Sequence, residues 1–472
     1  MQAIIDILSS IIRAVFEFFH LGYSMTEPPK RDPTLRAEFE IDQQLLSIYH
    51  EGFCVDGKRS LSLKDSFRHM VIIGKSGIGK STSTFIPSLL TMHSSGSSLI
   101  VHDPSGELYK ISAGHLKAQG YKVHILNFSE PKRSVGFNPL DKITRPSDVD
   151  RLGSMLVTTS LKQSDPFWDN SAVSLVKMCI GLALHLPKQY RNLANVLHLV
   201  KLMGANPKRM DELMSQHADD KLFIDYKAFL ANDSKVQSGI IATALAALNI
   251  FSDEQVALTT AQDGLDFKQL RKKKIALFIQ NKTADQQYLN TLISIWFEML
   301  FASFMEKLPE KEDKSVYILL DEAASGLRMP SLSNAIAHLR KYKVGVAMGL
   351  QSIEQLKETY GDNDATTILS NCFLQMYFSE QSHSTAKLLE EMLGKYHYED
   401  KDGNKNLIRN LMEANEIRML KKNRAIIIAG NQKPILAELT PFYDRLWLKL
   451  RAGHKEPIQI GVGHIARLNY IE

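Results

Sequence analysis

The chain has 472 residues, too many for one compact core when domains cluster near about 100–150 residues, so about two or three units are expected. Hydrophobic residues make up 44% and charged residues 23% of it, which excludes a mainly disordered, collagen-like or coiled-coil chain. Lys and Arg number 57 against 52 Asp and Glu, a net charge of +5; so mild an excess permits a nucleic-acid partner without arguing for one. Cys54, Cys179 and Cys372 are odd in number, far apart and set in apolar stretches. That usage excludes a disulfide framework or a zinc site and favours a reducing cytoplasm.

Residues 1–25 are expected to form an amphipathic helix. Ile4, Leu8, Ile11, Val15 and Phe18 recur at helical spacing, with Ile5, Ile12 and Phe19 beside them, giving one broad apolar face. Asp6, Arg13 and Glu17 interrupt the segment, and a membrane span needs about 20 apolar residues with no charge at its centre. A transmembrane helix is therefore not expected, and neither is a signal peptide, because a basic leader and a small-residue cleavage site are missing. Docking on its own domain, docking on a partner helix and lying on a membrane surface all remain open. The polar face lacks the Lys/Arg enrichment that the last usually shows.

A polar linker containing Pro28, Pro29 and Pro33 follows. Then HMVIIG runs as a strand into GKSGIGKST and a helix; SSLIVHD is a second strand, PSGELYKISAGHLKAQG a helix, and YKVHILNF a third strand. This alternation predicts a parallel, doubly wound α/β sheet. From residue 147 to 260 the apolar spacing turns helical throughout, in SAVSLVKMCIGLALHL, NLANVLHLVKLM, MDELMSQH and IIATALAALNIF. The α/β pattern resumes with IALFIQ, a long helix over about residues 284–307, and then SVYILLDE, VGVAMGLQ, CFLQMYF and RAIIIAG. The expected organisation is an α/β domain over residues 26–146 and 261–472 with a mainly parallel sheet, and an inserted all-α domain over residues 147–260.

Gly74, Gly79, Lys80 and Ser81 satisfy GxxxxGK[ST] between a strand and a helix. In such a loop the backbone N–H groups of Gly74, Lys75, Ser76, Gly77, Ile78, Gly79, Lys80, Ser81 and Thr82 can curl around phosphate oxygens. Lys80 then supplies charge to the β and γ phosphates and Ser81 a hydroxyl to Mg2+. SVYILLDE adds Asp321 and Glu322 at the C-terminal end of a strand, the edge where ligands of open α/β sheets collect. Asp321 is expected to hold the metal and Glu322 to align the attacking water. The bland reading of the acidic pair is a helix cap.

Gln351, at the end of VGVAMGL, could sense the γ-phosphate through its amide or simply sit in a turn. Arg340 in HLRKYK could be a surface cation beside Lys341 and Lys343, the reading that spacing favours, or an arginine finger reaching a neighbouring subunit's phosphate. Asp103 ends the second strand, and spacing does not separate a nucleotide contact from a turn-forming role.

Taken in order, GKSGIGKST, VHDPSGELY, FNPL, DPFWDNSA, LLDEAASGLRMPSL, LQSIEQLKETYG and ILSNCFLQMYFSEQSHSTAKLLEEMLG resemble the type IV secretion coupling proteins, the TraG/TraD type of conjugation ATPase. The resemblance spans residues 67–443. It implies a RecA-like P-loop NTPase domain related to FtsK-like translocases, an all-α domain beside it, and assembly into a ring hexamer. It implies ATP and Mg2+ as cofactors, and DNA (single-stranded by expectation), relaxase or relaxosome proteins and inner-membrane secretion components as partners. It also assigns Arg340 as a trans-acting arginine and Gln351 as a sensor glutamine. The chain departs from the family in DPSGE where DPKGE is common, in Ala323 where Phe is usual, in the Gly326-Leu327 order, and in the expected lack of a paired N-terminal membrane anchor. A location at the cytoplasmic face of the inner membrane would then come through partners or the N-terminal helix.

Three functions fit these observations. The first is an ATP-hydrolysing coupling protein that drives DNA or a relaxase–DNA complex into a type IV secretion channel. The second is an ATP-dependent receptor for protein effectors without DNA contact, and the third a nucleotide-dependent assembly scaffold. The basic runs at residues 271–274 and 340–343 read as solvated loops more readily than as DNA contacts.

Overall fold

Short, uniformly apolar runs bounded by Gly, Ser and charged residues are the raw material of a sheet covered on both faces. They form β1 (Met70–Ile73), β2 (Ser98–His102), β3 (Lys122–Leu126), β4 (Ile275–Ile279), β5 (Val316–Leu320), β6 (Val344–Leu350) and β7 (Leu374–Phe378). A hairpin of β8 (Lys395–Tyr398) and β9 (Leu407–Asn410) follows, then β10 (Arg424–Ala429) and β11 (Ile435–Glu438). This computed structural model describes residues 37–40, 45–160, 165–281, 283–324, 326–398, 407–459, 461–462 and 468–471. The helix expected over residues 1–25 lies outside them.

Among the described residues nine strands make one sheet, in the order β11-β10-β7-β1-β6-β5-β2-β4-β3. All neighbours from β7 to β3 are parallel, whereas β10 runs antiparallel to β7 and β11 to β10. In register, Ile73 faces Leu350 and Tyr377, while His102 faces Leu320 and Ile279. The C-terminal ends of the parallel strands therefore meet at one edge. Because β10 is reversed, its beginning and the end of β11 lie at that edge too, with Arg424 opposite Glu438 and Ala425 opposite Phe378.

Alternate residues feed two cores. Met70 and Ile72 pack with Phe85, Ile86 and Leu89 of the helix after β1 and with Leu108 and Leu116 of helix Glu107–Ala118. Val71, Ile73, Ile100 and Leu320 face the opposite way, against helix Gln286–Glu306 and the helical segment. By length and apolarity Gln286–Glu306 could cross a membrane. Here it is a core helix buried on most of its circumference, packed on the sheet side and on helix Pro146–Ser160. That surrounding explains why it lacks a polar stripe.

Between β3 and β4 come Pro146–Ser160, Pro166–His185, Leu193–Ala205, Pro207–His217, Asp220–Leu230, Ser234–Leu248 and Glu254–Thr259. The breaks are written in the caps. Asp165, Asn192, Asn206, Asp219, Asp233 and Asp253 each accept a backbone N–H from the helix they begin, and Pro166 and Pro207 occupy first-turn positions.

The run at residues 271–274 is not simply a solvated loop. Arg271 donates to the carbonyls of Tyr342 at 2.6 Å and Lys314 at 3.1 Å, and its guanidinium lies 4.7 Å from the Phe304 ring centroid. It ties together the starts of β5 and β6, because its planar fork can reach two carbonyls at once.

Candidate functional site

β1 delivers the chain to the loop at residues 74–80, and the following helix opens with the wide turn Ser81–Phe85 before continuing as Ile86–Thr91. Gly77 and Gly79 have φ of +75° and +105°, conformations that a Cβ penalises; the loop curls because glycine stands at both. The ammonium of Lys80 is buried and donates back to the loop's own carbonyls, Gly74 O at 2.5 Å and Lys75 O at 3.0 Å. Burial pulls its pKa down, against the pull of Asp321 and Glu322.

Ser81 Oγ donates to both carboxylate oxygens of Asp321, at 3.0 and 3.1 Å. Asp321 is held in place by its backbone. Its N–H donates to His102 O, the next turn is pinned by Ala323 N–H to Gly349 O at 2.9 Å, and the Asp321 carbonyl lies against Gly349. Burial pushes the Asp321 carboxyl up to about 7, with the Ser81 hydroxyl opposing and Asp103 adding to the rise. A carboxylate beside a hydroxyl is a pair of hard oxygen donors that suits a divalent cation such as magnesium. Lys80 and Ser81 open onto a cavity of about 650 Å³, which Glu322 also lines, as do residues 76–79 and 82. The residues present thus fit a phosphate chain with its metal. The acidic pair is not a helix cap, since Asp321 enters a turn and the next helix begins only at Leu332.

Gln351 follows β6 at the same edge, between the strands carrying the loop and the acidic pair; its N–H donates to Gln355 Oε1 and its side chain is exposed. It does not line the cavity. Arg340 is exposed at the opposite end of the sheet, just before β6 begins. The seven residues of β6 put roughly 20 Å between it and the loop's edge, so within one chain Arg340 and the phosphate loop are not brought together. Asp103 is fully buried and accepts the N–H of Tyr109 at 2.7 Å and the hydroxyl of Ser105. It orders the turn into helix Glu107–Ala118, and burial raises its pKa.

Sequence reading missed the cavity's other side. Ser105 and Glu107 border it from the turn after β2, and Lys422, Asn423, Leu439, Pro441 and Tyr443 close it from the flanks of β10 and β11. No motif marks these five; the reversed β10 starts at this edge and β11 ends at it, which brings them there.

A mainly parallel sheet with a phosphate loop on β1 and an acidic pair on β5, two strands away, defines the RecA-like P-loop class, here with a helical segment between β3 and β4. The chain belongs to the family described as Type IV secretory system Conjugative DNA transfer, whose profile matches residues 33–460. It is 22% identical to VirD4 of Rhizobium radiobacter over 403 residues, 81% of this chain and 58% of that one. It is 27% identical to a probable conjugal transfer protein TraG of Sinorhizobium fredii over 331 residues, 66% of this chain and 49% of that one. The chain thus spans about half to three fifths of the length of these curated relatives. Among solved structures it resembles the conjugative coupling protein TrwB lacking its first 70 residues, with a TM-score of 0.70 at 20% identity, covering 93% of this chain and 100% of that one. TrwB in complex with ADP and Mg2+ superposes with a TM-score of 0.68 at 21% identity over 89% and 97% of the two chains.

Proposed function

We propose that this chain is an ATP-hydrolysing coupling protein that recruits DNA, alone or with its relaxase, and drives it into a type IV secretion channel. One observation carries the ATPase part. Lys80, the Ser81–Asp321 pair and Glu322 converge on one cavity from two strands of the sheet, in a chain of the conjugative transfer family. TrwB, which shares the fold, has been solved with ADP and Mg2+ and with an ATP analogue.

In this reading Lys80 leaves the Gly74 and Lys75 carbonyls for the β and γ phosphates of ATP. Ser81 and Asp321 hold Mg2+, which neutralises charge on the phosphate oxygens when bound. Glu322 orients water for in-line attack on the γ-phosphate, and Gln351 reports on that phosphate from β6. Arg340 belongs to the neighbouring subunit's site in a hexameric ring, since it is too far from its own. The helical segment, as a unit over residues 147–260, faces the substrate and relaxosome proteins. The assembly works at the cytoplasmic face of the inner membrane beside the channel components.

Replacing Glu322 with Gln separates binding from chemistry. The variant is expected to bind ATP as the wild type does and to lose turnover; a variant that turns over normally would remove Glu322 from the mechanism. DNA contact of the sequence-independent kind predicts an affinity that falls steeply with salt. A salt-insensitive interaction, or none, would favour the protein-effector reading.

A further inference from the structure

The cavity has two ends, and only one of them is explained by phosphate chemistry. β5 and β6, carrying Glu322 and Gln351, stand on one side of β1 in the sheet. A triphosphate with its γ end toward Glu322 therefore directs its nucleoside away from them, toward β7, β10 and β11. β10 stands two strand spacings, roughly 10 Å, from β1, and the segments flanking β10 and β11 form the cavity wall there.

That wall is a built surface. Thr440 N–H donates to Asp56 O at 2.9 Å, and the backbone of Thr440 lies so close to Gly57 that a Cβ there would fall 1.8 Å from the Thr440 carbonyl oxygen. Leu439 N–H donates to Asn423 O at 2.7 Å, fastening the two flanking segments together. The short turn Phe442–Asp444 follows. Phe442 packs on the core, and its ring meets that of Tyr443 edge-on at 5.4 Å. Tyr443 is left 52% exposed while lining the cavity.

We propose that this wall is the nucleoside subsite, with the Tyr443 ring stacking on the base. The proposal rests on reading the cavity as a nucleotide site. It further specifies low discrimination between purines. Asn423 Nδ2 donates to Glu438 Oε1 at 3.3 Å, and the Lys422 ammonium pairs with Glu380 Oε1 at 3.4 Å. One amide N–H of Asn423 and the Lys422 ammonium are thus paired with carboxylates outside the cavity lining, and the largest surface the wall presents to a base is the Tyr443 ring, an aromatic face that every base can use.

Calorimetric titration of the full chain with Mg-ATP, Mg-GTP and inorganic tripolyphosphate tests this. Stacking on one ring contributes about 1–3 kcal/mol, so Tyr443→Ala is expected to weaken ATP and GTP by about tenfold or more while leaving tripolyphosphate within about twofold. Tyr443→Phe is expected to bind both nucleotides as the wild type does, and the wild type to bind ATP and GTP within about fivefold of each other. Unchanged nucleotide affinity in Tyr443→Ala would overturn the proposal. So would an equal loss of tripolyphosphate, which would make Tyr443 a support for the loop. A strong wild-type preference for one purine would overturn the face-only recognition. A wild type that binds neither nucleotide nor tripolyphosphate would instead defeat the nucleotide-site reading beneath it.

Discussion

Gly349 is the position where one added carbon tests the site's geometry most directly. It lies near the end of β6, where a Cβ would sit 2.3 Å from the Asp321 carbonyl oxygen and 3.2 Å from Phe85 Cε2. An ordinary contact needs about 3.5 Å, so Gly349→Ala forces β6 and the Asp321 backbone apart by about 1 Å. Ser81 Oγ reaches the Asp321 carboxylate at 3.0 and 3.1 Å, and a shift of that size takes the pair out of hydrogen-bond range. Misplacement by about 1 Å costs on the order of 10²-fold in rate, with an overpacking cost of about 1–3 kcal/mol in stability. Steady-state ATP turnover measured across a magnesium titration, beside a denaturation curve, reads both effects. A folded variant with about 100-fold lower turnover and a raised magnesium requirement is expected. Turnover within about threefold of wild type at the same magnesium dependence would refute the claim that this backbone contact sets the Ser81–Asp321 pair.

Arg271→Ala is expected to lower stability by about 3 kcal/mol through two lost charge-assisted hydrogen bonds, and Arg271→Lys to recover less than half of it, because an ammonium lacks the fork. Chemical denaturation checks this, and a variant of wild-type stability but weakened DNA binding would return the residue to the nucleic-acid surface. His69 and His102 are buried, and burial lowers the pKa of each to about 4. They stay neutral in the fold but take a proton in the unfolded chain below about pH 6.5. Their contribution is therefore complete above pH 6.5 and is lost as the pH falls toward 4, at most about 3 kcal/mol each. A melting temperature that stays flat from pH 7 to pH 4.5 would contradict this, and His102→Leu should flatten the slope.

The parts legible in the sequence are those that local patterns encode. HMVIIG, SSLIVHD and SVYILLDE are short, dense apolar runs bounded by Gly, Ser and charged residues, the pattern of strands covered on both faces, and they became β1, β2 and β5. The phosphate loop carries its glycines where positive φ is required, at Gly77 and Gly79. The helical segment is readable because apolar residues keep helical spacing within its successive helices. Two features were not readable in advance. β8, β9 and β11 read KYHY, LIRN and ILAE, in which polar residues interrupt the apolar ones, so no dense apolar run marks them. Tyr443 reaches the cavity only because β10 runs antiparallel to β7 and β11 returns beside it to end at the cavity's edge, a long-range event that leaves no mark on neighbouring residues. Asp103 did carry a signal, since D-P-S-G before a helix is turn chemistry, and its buried carboxylate serves the backbone of helix Glu107–Ala118 rather than the cavity. The run at residues 271–274 misled because charge alone does not show that Arg271 is facing carbonyls.

ATP turnover by the purified chain, with and without single- and double-stranded DNA and at a solution mass measured in the same buffer, tests the central claim most directly. The account predicts turnover that appears with assembly into a ring, rises with DNA, and is lost when Arg340 is replaced by Ala although each subunit still binds nucleotide. Ring-sized assemblies whose turnover ignores both forms of DNA, or monomers that turn over at the full rate, would contradict it.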